Sequence, residues 1–75
     1  MTIKEITLLN TRTGKRKTFY NVYDLEIPGY QVNSCIGLKN LLEKENVNFF
    51  SFKHADSNNI ASFRMDIWTL ETISD

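Results

Sequence analysis

The residues able to do covalent chemistry in this 75-residue sequence are few: one cysteine, Cys35, and one histidine, His54. A thiolate nucleophile needs a base beside it, and imidazole is the usual one; in the first turn of a helix the dipole would also favour the thiolate. Nothing in the spacing supplies a third group to orient such a pair. Cys35 shares an apolar stripe with Leu38 and Leu42 and reads as a core residue. His54, at the end of a strand-like run beside a polar turn, reads as a solvated edge residue. One cysteine excludes an intramolecular disulfide, and with one histidine no ordinary zinc cluster can be assembled. The expectation is a protein without catalytic residues, metal or cofactor.

Two phosphate- or cation-binding patterns are incomplete. Thr13-Gly14-Lys15 has the end of a phosphate-binding loop, but the earlier glycine is replaced by Leu9 and the following hydroxyl by Arg16. Asp56-Ser57-Asn58 opens like a calcium loop, yet Ala61 and Ile67 stand where its glycine and distal glutamate belong.

Charge is balanced over the chain but not along it. The first 17 residues hold Lys4, Arg12, Lys15, Arg16 and Lys17 against Glu5, a net of +4, and the remainder is −4. Arg12, Lys15, Arg16 and Lys17 at a hairpin tip are natural phosphate contacts, with Tyr20, Tyr23 or Trp68 as stacking platforms for bases. The ordinary alternative is a solvated hairpin end that resists aggregation. The acidic complement, Asp24, Glu26, Glu43, Glu45, Asp56, Asp66, Glu71 and Asp75, would imitate a phosphate backbone if several shared one surface. Glu43, Glu45, Asp66, Trp68 and Glu71 are the candidate protein interface, since the helix and the last strand carry them.

Positioning those residues requires an ordered fold. At 8.8 kDa, with 41% apolar residues, the chain is a single domain, 1–75, too apolar for disorder. A chain of this length buries only about 60% of the surface its unfolded form exposes, so the five Phe, three Tyr and one Trp must supply bulk. The start MTIKEITLLN is too polar for a signal-peptide core, and no apolar run approaches a membrane span. A cytoplasmic location is expected.

Met1–Asn10 and Thr18–Ile27 suit two antiparallel strands, with Gly14 closing the hairpin and Pro28-Gly29 ending the second. From Asn33 the spacing becomes helical: Cys35, Leu38, Leu41 and Leu42 share a side, Asn33 or Ser34 caps the start, and Asn46 in a left-handed conformation stops it. Gly37 weakens the first turn by up to about 1 kcal/mol. Val47–His54 and Ile60–Ile73 return to period two, joined by Asp56-Ser57-Asn58-Asn59. The expected class is α+β, in the order β-β-α-β-β, a mostly antiparallel sheet with one helix on one face. Period two puts apolar residues on both sides of the second strand (Phe19, Tyr23, Leu25 and Ile27 against Tyr20 and Val22) and places Trp68 and Leu70 opposite Phe63. A homodimer covering the second face follows from that pattern.

Asn46-Val47-Asn48-Phe49-Phe50 is similar to the short peptide by which bacterial proteins bind the sliding clamp. The resemblance covers five residues, with asparagine for the family's glutamine and only Phe50 fitting outright, and it implies exposed Phe49 and Phe50. The strand reading instead puts Phe50 in the core. The leading functional expectation is a non-catalytic protein of the kind phages and mobile elements encode, an inhibitor occupying a surface of a host DNA-processing protein, for example in the replication machinery such as the sliding clamp. The alternative is a nucleic-acid-binding module using hairpin residues 12–17, which a sequence pI of 6.6 disfavours.

Overall fold

The computed structural model describes residues 2–55 and 57–75, and the side chains of all of these except Ser57 and Asn58. The elements are β1 (Ile3–Asn10), β2 (Arg16–Glu26), α1 (Cys35–Lys44), β3 (Phe49–His54), β4 (Ser57–Arg64) and β5 (Trp68–Ser74). The strands form one antiparallel sheet in the order β4-β3-β2-β1-β5. The fold is a small α+β domain. The run from Ile60 to Ile73, read from period two as one strand, is two strands separated by a turn at Met65, Asp66 and Ile67. Ile67 donates its N–H back to Arg64, and its carbonyl accepts from both the N–H and the Oγ1 of Thr11, each at 2.8 Å. The break therefore carries the chain from one edge of the sheet to the other. His54 pairs with Ser57, so residues 57–59 belong to β4 rather than to a turn; Asp56 lies outside the described residues.

Bulges decide which side chains face inward. Asn21 and Asp24 have φ of 52° and 50°, the left-handed region that asparagine and aspartate tolerate best after glycine. The stretch containing Asp24 carries an extra residue against β3, and Asn21 breaks the alternation without shifting the register on β1, so Phe19, Val22, Leu25 and Ile27 all turn towards the core while Tyr20 and Tyr23 turn out. The same happens in β5: Thr7 faces Thr72 but Leu8 faces Leu70, leaving Glu71 extra. Trp68, Leu70 and Ile73 then share the inner face with Leu8 and Ile6. Tyr20 and Tyr23 are then the large apolar residues left on the outer face of these two strands. Opposite the core, β1, β2 and β5 present Thr7, Thr18, Thr69, Thr72 and Ser74; Thr7 and Thr18 are hydrogen-bonded at 2.9 Å.

β2 pairs with β1 through its first half and with β3 through its second, which curls the sheet. Phe63 on β4 and Trp68 on β5, at opposite edges, meet edge-to-face at 5.2 Å between centroids. Around Phe63 lie Phe19, Phe50 and Phe52, joined to it within 6.2 Å, and the same core holds the aliphatic Ile3, Ile6, Leu8 and Val22. The helix closes the remaining opening with Cys35 and Leu38 and packs on β5. Ser34 is its N-cap; the hydroxyl accepts from the Gly37 N–H at 3.0 Å. A Cβ at position 37 would stand 3.0 Å from that oxygen, so the glycine that weakens the turn also leaves space for the cap. The helix ends at an extended Glu45, whose N–H bonds to Leu41, and not at a left-handed Asn46.

Candidate functional site

Cys35 and His54 occupy separate neighbourhoods. Cys35 opens α1 with its side chain buried, and burial pushes its thiol pKa up, with Asp75 adding to the shift. His54 is half-buried, not solvated: its ring lies 4.9 Å from Phe19 and 6.4 Å from Phe52, and Nδ1 has no hydrogen-bond partner among the described residues. No group of three or more His, Cys, Asp or Glu side chains among the described residues is arranged as a metal site.

The two candidate charge sets meet in space. Arg16 Nε donates to Glu71 Oε2 at 2.5 Å across the sheet, an ion pair that raises the Arg16 pKa and lowers that of Glu71. Lys17 Nζ sits 5.7 Å from the centre of the Trp68 ring, a cation–π distance. Asp66 is held by Arg64 at 2.6 Å. Arg16 and Lys17 are thus joined to Glu71 and Trp68, members of the opposing set. Of the interface candidates, Glu43 and Glu45 have no ion-pair partner among the described residues; of the tip, Arg12 and Lys15 have none. The tip itself is held by hydrogen bonds. Asn10 Oδ1 accepts from the N–H groups of Arg12 and Thr13 at 2.9 and 3.1 Å, and Gly14, with φ of 75°, donates to the Asn10 carbonyl.

Between α1 and β5 runs a groove of about 470 Å³. The helix contributes Ile36, Lys39, Leu42 and Glu43, and the strand contributes consecutive residues from Thr69 to Ile73. Of the interface candidates, Glu43 and Glu71 line this groove, whereas Glu45, Asp66 and Trp68 do not. Ile36 is 74% exposed, a large apolar side chain displayed at the mouth of this groove. Helical spacing gives its position away: it falls off the stripe of Cys35, Leu38 and Leu42 and so must point elsewhere. Thr69, Thr72 and Ile73 gave no such signal, because their placement depends on the bulge at Glu71.

The clamp-peptide resemblance does not survive folding. Phe50, its one matching residue, is fully buried, and only Phe49 is exposed, beside Tyr30 in a second, more open hollow. Of the three proposed stacking platforms, Tyr20 and Tyr23 stand on the outer face of β2, and Trp68 is half-buried against Phe63. No family model, curated protein or solved structure matches this chain.

Proposed function

We propose that this is a non-catalytic cytoplasmic protein that binds another protein through the groove between α1 and β5. The observation carrying the reading is the exposed Ile36 at the mouth of an apolar groove rimmed by Glu43 and Asp75. Interfaces combine an apolar centre with a polar rim, and a carboxylate rim suits a partner with a basic surface. Proteins that handle DNA carry such surfaces to meet phosphates, so a host DNA-processing protein is the proposed partner class, and occupation of its basic surface would inhibit it. No helix among the described residues is long and apolar enough to cross a membrane.

The test is capture from nuclease-treated host lysate with the natural chain and with Ile36→Asp. Aspartate in the first helical turn is compatible with the helix dipole, so folding is preserved. A protein retained by the first and lost by the second supports the proposal; identical retention by both overturns it. A second reading, nucleic-acid binding, draws on Arg12 and Lys15, exposed on the hydrogen-bonded tip with no ion-pair partner among the described residues. It requires a salt-dependent gel shift that Arg12→Gln with Lys15→Gln weakens.

A further inference from the structure

β5 is hydrogen-bonded to β1 along one side, and along the other its backbone groups have no backbone partner among the described residues. Proteins usually blunt such an edge with proline, lysine or a covering element, because a free edge is a template for another strand. Trp68–Ser74 contains no proline and no lysine, and its single charged residue, Glu71, is held by Arg16. The groove is lined by five consecutive residues, Thr69 to Ile73, and therefore by side chains of both orientations. A depression over one face of a strand would take alternate residues, so this groove runs along the edge itself.

We infer that the free edge of β5 receives an extended segment of the partner protein as a sixth strand, its apolar side chains seated against Ile36 and Leu42 and a lysine or arginine meeting Glu43 and Asp75. The inference rests on the docking face proposed above and names its mode. Main-chain hydrogen bonds supply affinity in such strand addition, and alternate side chains supply specificity. Five residues of edge span roughly 16 Å, at about 3.3 Å per residue, room for a short peptide segment. Charge selects the occupant: with Glu71 neutralised by Arg16, the groove retains Glu43 and Asp75 against Lys39. A second copy is disfavoured, because its own Trp68–Ser74 strand carries no lysine or arginine to meet Glu43 and Asp75.

The experiment selects random nonapeptides on the full chain, then compares the winning peptide with two versions methylated on alternate backbone nitrogens. Amide shifts are followed by NMR. The expected winner alternates apolar residues with lysine or arginine and moves the amides of residues 69–73. Methylation in the register facing β5 weakens binding at least tenfold, and methylation in the other register does not. Equal binding of both methylated forms within the groove overturns strand addition and leaves the docking face standing. Selection of acidic peptides, or failure to select any, also overturns strand addition. Binding outside the groove, undiminished by Ile36→Asp, overturns both.

Discussion

Cys35 shows how burial decides what a reactive residue type can do. Its thiol is held above the ordinary range by loss of hydration, so iodoacetamide at neutral pH is expected to modify the folded protein several-fold more slowly than the denatured chain. Mass spectrometry reads the difference, and equal rates would show an accessible thiol. Glu71 is the opposite case: its carboxyl is lowered chiefly by the hydrogen bond from Arg16, against which desolvation works, with the guanidinium charge adding to the lowering. A depressed folded-state pKa means a contribution that is present above the unfolded value and is lost as pH falls through the folded value. The Glu71 carboxyl signal should therefore titrate below the ordinary glutamate value, and Arg16→Gln should raise it. The pair is exposed, so its effect on stability is small and falls with salt.

Among the elements, β2 is the one whose conformation depends most on individual residues. Asn21→Val forces a β-branched side chain into left-handed backbone and should cost about 1–2 kcal/mol, whereas Asn21→Gly should cost little. Chemical denaturation checks both. In α1, Leu38 is fully buried and Leu42 partly so; Leu38→Ala should cost about 2–5 kcal/mol and Leu42→Ala distinctly less. Equal losses would place the helix in a different rotation. Ser34→Ala removes the cap from Gly37 and should cost about 1 kcal/mol.

At the scale of the whole molecule, the inner face of the curled sheet is filled by its own aromatic residues, and the outer face of β1, β2 and β5 offers a second copy mainly hydroxyl groups beside Tyr20 and Tyr23. Sedimentation at tens of micromolar is expected to give the 8.8 kDa monomer, and a stable dimer would overturn that expectation. The same view changes which charges are worth replacing. Neutralising Asp66 or Glu71 breaks an internal ion pair, so Glu43→Gln with Glu45→Gln is the informative variant. It should slow association with a basic partner, while Arg12→Gln with Lys15→Gln leaves that rate nearly unchanged.

Sequence periodicity by itself determined the α+β class, the first hairpin, the helix with its Cys35 and Leu38 stripe, and the burial of Phe50 and Phe52, because each rests on spacing within a few residues. It also placed Glu43 and Glu71 among the interface candidates. Tertiary structure alone decided the rest. Period two assumes an unbroken strand, and the left-handed residues Asn21 and Asp24, the extra Glu71 and the turn at 65–67 each reset the alternation. Trp68 and Leu70 consequently turned inward. The linear separation of charge vanished for a related reason: the β1–β2 hairpin lies against β5, and antiparallel pairing brought Arg16 and Lys17 onto Glu71 and Trp68, more than 50 residues away along the chain. Which backbone edge stays free is likewise a property of the strand order, which puts β5 at the rim beside a helix that leaves a groove along it.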